Sequence, residues 1–379
     1  MSAPEPLYDV GIAGAGQLAR MTCLAAWPLQ IRVAVLGRPG EPASGIAHGL
    51  VEGDWNDPDA VRRLGEVSRV VTLENEFVSA DALAAVEAAG TPVRPGAEAV
   101  RIVQDKALQK EMLRRHGLPV PRFLVAETAG DLAAIGRDLG FPLMLKARTL
   151  GYDGYGNATC RTLAEAEEAF PRLDRGIGVL VEEFVPFRRE LAVMVARRPG
   201  GQVVPYPIAE TRQQDHVCHE VVVPAPIDPR VAEIAEDTGV AAVRAAEAIG
   251  VMGVEMFEAE DGTITINELA PRPHNTGHYS IEACETSQFE NHLRGVLDLP
   301  LGSVALRKPV AVMVNLLGTR EGPSDPNVAD ALTVPGTHLH LYDKAQNRVR
   351  RKMGHVTALG TTIEDALMRA RKAASEVAL

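Results

Sequence analysis

The chain has 379 residues, of which 46% are apolar and 23% charged, and it carries a formal net charge of −11. This composition is typical of a globular protein with two or three domains and excludes a disordered chain. The negative charge argues against a nucleic-acid-binding surface, although it does not exclude small anionic ligands, which respond to local charge.

The four cysteines are scattered and form no CxxC pair or other ligand spacing. This argues against structural zinc and against a disulfide framework, and it is typical of a reducing cytoplasm. The N-terminus has no basic segment followed by a long apolar one, and no apolar run approaches the ~20 residues of a membrane span. We therefore expect a cytoplasmic protein with no signal peptide, no membrane segment and no nucleic-acid partner.

Short apolar strands are predicted at 8–13, 31–36 and 67–73, with helices between them. Asn56-Asp57-Pro58 would start the helix before the third strand well. Strands that alternate with helices indicate a parallel α/β sheet. The glycine pattern at 14–19 predicts close backbone approach to a phosphate at a helix N-terminus; a dinucleotide role is disfavoured because no acidic residue follows the second strand. Glu74 follows the third strand, where open α/β sheets bind ligands, with a solvated strand end as an equal alternative.

The central part of the chain contains two lysines on either side of a glycine-rich segment. Lys106 lies in a helix that begins near Asp105, and Lys146 ends an apolar strand, which makes it a candidate phosphate ligand. The segment 149–157 contains closely spaced glycines whose backbone amides can close over phosphates. A Walker A loop would lead directly into a helix, whereas this one leads into a strand. We therefore predict a lid between two strands.

A further apolar strand at 179–185 contains Glu182 and Glu183 near its end. Such a strand end can present backbone groups to an adenine and a carboxylate to its ribose. For Glu183, an exposed acidic corner is the alternative.

A β-hairpin is predicted around Asp261-Gly262, which suits a two-residue type I′ turn between two alternating runs. Counting outward from that turn places Phe257 opposite Ile266 and Glu255 opposite Glu268. Opposed carboxylates ~5 Å apart are destabilising unless a cation lies between them. The pair suits Mg²⁺, which prefers hard oxygen ligands; a solvated hairpin has similar weight on this evidence alone.

The residues after the hairpin combine prolines and a glycine with several polar groups. Within seven residues the chain contains Arg272, His274, Asn275 and His278. Loops beside a rigid strand are where sites are usually built, and an arginine near a divalent metal is a pairing that phosphoryl transfer uses. We therefore predict that this loop belongs to the same site as the carboxylates.

A smaller C-terminal region has predicted strands at 310–316 and 338–342 and a final helix from Thr362. Four of the five residues at 348–352 are basic, and Gly354-His355 follows. In an acidic protein we interpret this segment as a site for an anionic ligand group, in preference to a solvated strand edge.

Taken in order, these features resemble the ATP-grasp superfamily and, within it, the N5-carboxyaminoimidazole ribonucleotide synthases, the ATPase subunits of phosphoribosylaminoimidazole carboxylase. The motifs that carry the resemblance are residues 14–21, 72–77, 151–156, 267–278 and 352–355. The implied fold class is α/β and α+β, an ATP-grasp fold. It would have an N-terminal Rossmann-like (preATP-grasp) parallel-sheet domain at 1–100, an ATP-grasp domain at 101–300 with a lid subdomain at about 122–186, and a small C-terminal domain at 301–379.

The resemblance implies a ligase that uses ATP and bicarbonate to carboxylate 5-aminoimidazole ribonucleotide, giving N5-carboxyaminoimidazole ribonucleotide, ADP and phosphate in de novo purine biosynthesis. The reaction would proceed through carboxyphosphate, which decomposes quickly in water and therefore needs a closed site. The resemblance further implies ATP and Mg²⁺ as cofactors and a homodimer.

The resemblance also implies roles for individual residues. Around ATP it places Lys106, Lys146, Gly151, Tyr152, Asp153, Gly154, Tyr155, Gly156, Asn157, Glu182, Glu183, Phe184, Val185, Glu190, Gln213, Asn267 and Glu268. Around the ribonucleotide it places Gly16, Gln17, Leu18, Glu74, Tyr152, Asp153, Arg272, Arg351 and Lys352. Magnesium would be held by Glu255 and Glu268. The implied catalytic groups are Arg272, His274, Asn275, Asp153 and Lys352. Of these, Arg272 and His274 would position bicarbonate and stabilise developing negative charge.

The segment 210–216 departs from the family, because Gln213 stands where members usually have a nucleotide-contacting histidine. A glutamine cannot carry a positive charge but can still form hydrogen bonds. Two other functions stay open. One is another ATP-grasp ligase, resembling formate-dependent glycinamide ribonucleotide transformylase. The Arg272 loop and the Lys352 segment distinguish the two ligases, because the acyl acceptor is chosen there. The other is a catalytically silent nucleotide-binding regulator, against which the intact carboxylate pair and lysines argue.

Overall fold

The computed structural model describes residues 6–151, 156–214 and 217–379. Residues named above that lie outside these ranges are Tyr152, Asp153, Gly154, Tyr155, Asp215 and His216. The described strands form two four-stranded sheets, one nine-stranded sheet and one two-stranded pair.

The N-terminal sheet is parallel and open, as predicted. Its elements are β1 (Val10–Ala13), α1 (Gln17–Ala26), β2 (Val33–Gly37), β3 (Gly49–Glu52), α2 (Pro58–Val67), β4 (Val71–Leu73), α3 (Ala80–Ala88) and α4 (Ala97–Gln104). The strand order is β3-β2-β1-β4. Strand β3 was not predicted, since its partly exposed residues form no long apolar run. Helix α2 begins as predicted, with Pro58 in its first turn and the Asp57 side chain accepting from the amide of Asp59.

The second four-stranded sheet lies within residues 123–183. It follows α5 (Lys106–Arg115) and contains β5 (Phe123–Ala126), α6 (Leu132–Leu139), β6 (Leu143–Ala147), β7 (Asn157–Cys160), α7 (Leu163–Leu173) and β8 (Val179–Glu183). The strand order is β5-β8-β6-β7. Because β6 and β7 are antiparallel neighbours, the glycine-rich segment connects two strands, as predicted.

The nine-stranded sheet contains most of the remaining strands. The elements after β8 are β9 (Arg189–Arg197), β10 (Val203–Pro205), β11 (Ala209–Gln214), β12 (Val217–Val223), α8 (Pro229–Ala245), β13 (Gly250–Glu258), β14 (Ile264–Ala270), α9 (Ser280–Ala283), α10 (Gln288–Val296), β15 (Val310–Leu317), β16 (Gly322–Pro323), β17 (Thr337–Leu341), β18 (Gln346–Asn347), β19 (Lys352–Gly360) and α11 (Ile363–Ser375). The strand order is β14-β13-β9-β11-β12-β15-β19-β17, with β10 beside β9, and β16 pairs separately with β18. Because β12 pairs with β15, this sheet continues across the predicted domain boundary at residue 300.

Helices cover the faces of the large sheet. Helix α8 contributes Ala235, Ala242 and Val243 to a core shared with β9 and β13. It ends at Ala245, and the chain turns just beyond, at Glu247, whose φ is +51°. Within the described residues, no helix is both long and apolar enough to cross a membrane. The ends of the three large sheets meet where the candidate site residues lie.

Candidate active site

The turn of the β13–β14 hairpin differs from the predicted one. The carbonyl of Ala259 accepts from the amide of Gly262 at 3.0 Å, and the amide of Ala259 donates to the carbonyl of Thr263 at 2.9 Å. The loop therefore has three residues, 260–262, with Gly262 in the left-handed region at φ +83°. The predicted two-residue turn is wrong because Asp261 keeps a negative φ, and its carboxylate accepts from the amide of Thr263 at 2.9 Å.

The three-residue loop shifts the strand register, and a bulge then restores it. Phe257 pairs with Thr265 and not with the predicted Ile266. Beside Glu255 the register shifts by one residue of β14, so Glu255 still lies opposite Glu268. The predicted carboxylate pair is therefore confirmed, although the predicted turn alone would not have produced it.

One face of α5 covers the free edge of β14. Lys106, Gln109 and Lys110 are spaced so that they share this face. Lys106 forms an ion pair with Glu268. Gln109 accepts from the amide of Leu269 at 3.0 Å, and Lys110 donates to the carbonyl of Ile266 at 2.9 Å. Together with the carbonyl of Pro119, which accepts from the amide of Ile266 at 2.8 Å, these side chains satisfy the edge of β14 and fix the strand that carries Glu268.

Glu182 lies buried between two lysines. Its carboxylate is 3.1 Å from Lys110 Nζ and 2.7 Å from Lys146 Nζ. Burial alone would raise the pKa of Glu182, but the two ammonium groups more than offset this and lower it. Lys146 also donates to Asn267 Oδ1 at 3.0 Å. Because both oxygens of Glu182 face lysines, we assign it to holding Lys146 and not to direct contact with a ribose.

Glu190, at the start of β9, is supported by the residue at which the sequence departs from the family. Gln213 Nε2 donates to Glu190 Oε2, across the adjoining strand pair β9–β11. Burial raises the pKa of Glu190, although its hydrogen bonds oppose this effect. Gln213 thus orients a carboxylate without adding a charge.

Glu255 is a partly buried carboxylate, and the positive charge around it does not balance its own. Burial, Glu268 and Glu190 together raise the pKa of Glu255 to about 7, although Lys352 and Lys106 oppose them. The nearest ring nitrogen, His274 Nε2, lies 3.7 Å from Glu255 Oε1. It supplies no charge, because burial and the neighbouring cations keep the pKa of His274 well below its usual value. A divalent cation would relieve this imbalance.

The described residues contain no group of three or more His, Cys, Asp or Glu side chains arranged to hold a metal ion. Two carboxylates alone are what a magnesium ion needs when phosphate oxygens complete its coordination. Glu255 and Glu268 therefore fit a cation that binds together with a nucleotide.

Arg272 is held by a residue that the sequence analysis did not single out. Glu76, just after β4, accepts from Arg272 through both oxygens, with Nη2 to Oε1 at 2.9 Å. Burial would raise the pKa of Glu76, but the Arg272 guanidinium offsets this and brings the pKa below its usual value. This bidentate pair fixes the plane of the guanidinium. The signal available in the sequence was the motif at 72–77, which contains Glu76 together with Glu74.

Glu74 occupies the position where a phosphate was expected. Its carboxylate accepts from the amide of Gly16 at 2.9 Å and from that of Leu18 at 3.3 Å. A Cβ on Gly16 would lie 2.2 Å from Glu74 Oε1. The predicted close backbone approach is thus real, but the group that approaches the N-terminus of α1 is a carboxylate of the chain itself. Beside it, Gln17 begins α1.

Asn275 does not face the carboxylate pair. Its amide and that of Asn315 on β15 form two reciprocal hydrogen bonds, at 2.9 Å and 2.8 Å. Both side chains are buried. We therefore assign Asn275 to holding the loop against the C-terminal strands and not to catalysis.

The C-terminal basic segment reaches the site through Lys352, at the start of β19. Lys352 is close enough to lower the pKa values of Glu255 and His274. Arg351 donates to the carbonyl of Gln346 at 2.9 Å. Lys344 was missed: it donates to the carbonyl of Lys352 at 2.7 Å, acts on the pKa of Glu74 and lines a cleft of about 340 Å³. Only its closeness to the basic segment could have indicated it.

The glycine-rich segment borders a second cavity of about 250 Å³. Its lining includes Glu76, Lys106, Gly151 and Glu268. Gly156 has a φ of +112°, and a Cβ there would lie 2.9 Å from the Cα of Gly151. Asn157 pairs with Lys146 at the start of β7. The two described ends of the segment therefore meet beside the lysines, whereas its predicted ligands at 152–155 lie outside the described residues.

Comparison with known proteins agrees with this architecture. Family models match a ribonucleotide synthetase preATP-grasp domain at residues 7–104, an ATP-grasp domain at 111–289 and a phosphoribosylaminoimidazole carboxylase C-terminal domain at 311–369. The first match covers the N-terminal sheet, the second covers the small sheet and strands β9–β14 of the large sheet, and the third covers most of β15 together with β17 and β19 of the same large sheet.

Curated relatives match almost the whole chain. The N5-carboxyaminoimidazole ribonucleotide synthase of Synechococcus elongatus is 41% identical over 358 residues, which cover 94% of this chain and 90% of the relative. The phosphoribosylaminoimidazole carboxylase of Schizosaccharomyces pombe is 42% identical over 365 residues, or 94% of this chain. The match covers 66% of the yeast protein, so this chain spans about two thirds of its length.

Solved structures share the fold. The carboxyaminoimidazole ribonucleotide synthase of Aspergillus clavatus complexed with ATP has a TM-score of 0.89 and 36% identity, covering 98% of this chain and 99% of that one. A structure of the Aspergillus clavatus enzyme with ADP and 5-aminoimidazole ribonucleotide has the same TM-score and identity, 0.89 and 36%, and covers 97% of this chain and 98% of that one. The chain therefore belongs to the N5-carboxyaminoimidazole ribonucleotide synthase family of ATP-grasp ligases.

Proposed function

We propose that the protein uses ATP and bicarbonate to carboxylate 5-aminoimidazole ribonucleotide to N5-carboxyaminoimidazole ribonucleotide in purine biosynthesis. The observation that carries this proposal is the pairing of Glu255, whose charge its neighbours do not balance, with Glu268. Lys106 lies on one side of this pair, and Arg272 and His274 lie on the other. Relatives solved with ATP, and with ADP and the aminoimidazole ribonucleotide, support the choice of substrates.

ATP would lie between the small sheet and the large one. Lys106 and Lys146 would bind its phosphates, the strand end Glu183, Phe184 and Val185 would face the adenine, and Glu190 would bind the ribose. Glu190 is held for this purpose by Gln213. Glu255 and Glu268 would hold Mg²⁺, which would neutralise phosphate charge and orient the γ-phosphoryl group.

In the first step, a bicarbonate oxygen attacks the γ-phosphorus, the bond to the β–γ bridging oxygen breaks, and ADP leaves. Arg272, whose guanidinium is fixed by two hydrogen bonds to Glu76, would bind the bicarbonate and stabilise the negative charge that develops on it. The neutral His274 would accept or donate a hydrogen bond there without competing with the cation for Glu255.

In the second step, the exocyclic amine of the imidazole attacks the carboxyl carbon of carboxyphosphate or the CO₂ it releases. Phosphate leaves and the amine loses a proton. The ribonucleotide would lie between Glu74 and the basic segment, with Arg351, Lys352 and Lys344 around its phosphate. Tyr152 and Asp153 keep the roles that the family resemblance implies.

We further propose that the protein is a cytoplasmic homodimer. The four cysteines are all free, which suits a reducing compartment such as the cytoplasm. Sedimentation velocity would test whether the protein is a dimer.

Phosphate release tests the proposed reaction. MgATP and bicarbonate are incubated with and without 5-aminoimidazole ribonucleotide, and in parallel with glycinamide ribonucleotide and formate. We expect stimulation by the imidazole alone. Stimulation by the second pair would identify the alternative ligase, and ADP binding without stimulation by either would identify a silent nucleotide-binding protein.

A further inference from the structure

Two buried glutamines each bind both the backbone amide and the backbone carbonyl of one residue in the segment 269–274, which contains Arg272 and His274. Gln288, at the start of α10, accepts from the amide of His274 at 3.0 Å and donates to its carbonyl at 2.8 Å. Gln109, on α5, accepts from the amide of Leu269 at 3.0 Å, and its Nε2 lies 3.5 Å from the carbonyl of Leu269. Each side chain thus substitutes for a neighbouring strand.

We propose that Gln288 and Gln109 are positioning residues that hold the two ends of the segment 269–274, and that Gln288 sets the place of His274 in the reaction. This inference rests on the proposed function. Neither glutamine would touch a substrate, so each acts through the residue whose backbone it binds.

The orientation of the Gln288 amide is determined by its partners. Because Oε1 faces the amide of His274, both hydrogens of Nε2 point elsewhere, one to the His274 carbonyl and one to His278 Nδ1 at 3.0 Å. His278 must therefore be unprotonated at Nδ1, in agreement with a pKa that burial holds well below its usual value. Gln288 is fully buried, so water cannot replace these bonds.

His274 depends on this contact because the strand has already ended. Strand β14 stops at Ala270. Beyond it the His274 carbonyl also accepts from the amide of Gly277 at 3.0 Å, but among the described residues it is Gln288 that holds the His274 amide. With that backbone bound to Gln288, the ring stays between Thr276 Oγ1, 2.9 Å from Nδ1, and the Glu255 carboxylate. The close packing extends to Gly277, where a Cβ would lie 2.5 Å from Gln288 Oε1.

A third glutamine provides a control. Gln202 accepts from the amide of Leu301 at 3.0 Å and donates to its carbonyl at 3.4 Å. It lies just beyond Arg197, the far end of β9 from Glu190. The bonding pattern is the same, but Gln202 is exposed, and among the described residues no predicted site residue lies beside it.

The test compares Gln288→Met, Gln109→Met and Gln202→Met in the full-length protein. The readouts are the coupling, measured as ADP formed per carboxylated ribonucleotide, together with kcat and with KM for ATP and for bicarbonate. Thermal unfolding confirms that each variant is folded. For Gln288→Met we expect kcat to fall ~10- to 100-fold and the ADP-to-product ratio to rise above one, because a misplaced His274 lets carboxyphosphate decompose before transfer. KM for ATP should change less than about twofold, because the lysines are untouched.

Gln109→Met should instead raise the Mg²⁺ concentration needed for half-maximal rate, because Leu269 follows Glu268. Gln202→Met should leave coupling and kcat unchanged. Gln288→Glu keeps the shape and the acceptor for the His274 amide, so it should recover part of the coupling.

Coupling equal to wild type in a folded Gln288→Met variant would overturn the inference, and so would equal loss of coupling in Gln202→Met. If Gln288→Met does not fold, Gln288→Glu decides, because an ionised glutamate cannot donate to the His274 carbonyl or to His278 Nδ1. Partial loss of coupling in Gln288→Glu would support the inference, and coupling equal to wild type would overturn it, because these two bonds would then not position His274. A wild-type protein that the imidazole fails to stimulate would instead overturn the proposed function.

Discussion

Two glutamates in adjoining parts of the site, the buried Glu182 and the partly buried Glu255, have opposite electrostatic surroundings. Glu182 lies between Lys110 and Lys146; burial would raise its pKa, but the two ammonium groups bring it down to about 2. Glu255 faces Glu268 and Glu190, and burial and these neighbours raise its pKa to about 7. The chain thus supplies the countercharge for one carboxylate and withholds it from the other. We infer that the first is a structural support and the second is completed by an external cation.

Removing one carboxylate of the Glu255–Glu268 pair should have the largest effect. Glu268→Gln should lower kcat by ~10³-fold or more, equivalent to about 4 kcal/mol, because the cation and the γ-phosphoryl group lose their orientation. Steady-state phosphate release at saturating Mg²⁺ measures it. Glu260→Gln, in the hairpin loop, is the matched control and should retain wild-type turnover. A rate near that of wild type for Glu268→Gln would refute the metal assignment.

Removing the compensated glutamate should act on stability first. Glu182→Gln leaves two buried ammonium groups without a carboxylate, so the free energy of unfolding at pH 7 should fall by about 3 kcal/mol. Urea denaturation followed by circular dichroism measures this change. Glu183→Gln, on the adjacent partly exposed residue, should cost much less. Equal losses in the two variants would contradict the role given to Glu182.

The two glutamates should also give opposite pH dependences. The pKa of Glu255 is about 7 in the folded protein and near its usual value of 4.5 when unfolded, so its protonated form favours folding. Without Mg²⁺, wild type should match Glu255→Gln in stability below about pH 4.5 and become less stable than it by about 2 kcal/mol as pH rises through 7. For Glu182, whose folded pKa is lowered, the loss in Glu182→Gln should be present above pH 4.5 and shrink as pH falls further.

Urea denaturation of both variants between pH 4 and 8, with and without MgADP, tests this opposition. Bound Mg²⁺ should remove the difference at Glu255 and leave that at Glu182 unchanged. A flat stability difference for Glu255→Gln across the range would show that its charge is already balanced by the protein.

Glu190 is an intermediate case, because its partner, Gln213, carries no charge. Gln213→Ala should raise KM for ATP about two- to fivefold, or less than about 1 kcal/mol, by freeing the carboxylate to move. Gln213→His should restore affinity and make KM vary with pH near 6.5, where an imidazole titrates. Initial-rate measurements at pH 6 and 8 distinguish the two. An unchanged KM in Gln213→Ala would remove Glu190 from the ribose site.

The sequence allowed local features to be predicted better than distant contacts. The alternation of strands and helices, the start of α2 and the Glu255–Glu268 pairing depend on neighbouring residues, and all three are present. The pairing was nevertheless reached through a wrong turn, because the extra loop residue and the bulge cancel. A bulge has no reliable pattern in a single sequence.

The missed residues are those whose role depends on long-range contacts. Arg272 and Glu76 are 196 residues apart in the chain, and Lys110 meets Glu182 only because the small sheet lies against β14. Lys344 and Gln288 likewise stand in stretches without a recognisable motif. Burial and partner identity decide what these side chains do, and neither is encoded in local spacing.

The pairing of β12 with β15 has a mechanical consequence. Lys352 and Glu255 belong to one hydrogen-bonded sheet, so the end of the basic segment and the carboxylate pair share a rigid frame. Lys146 and Glu182 belong to a separate sheet, which is joined to that frame by the chain at its ends, by the hydrogen bond from Lys146 to Asn267 and, through α5, by the ion pair of Lys110 with Glu182. Any opening and closing during turnover should therefore move Lys146 and the small sheet relative to Glu255 and Lys352, which should keep their positions relative to each other.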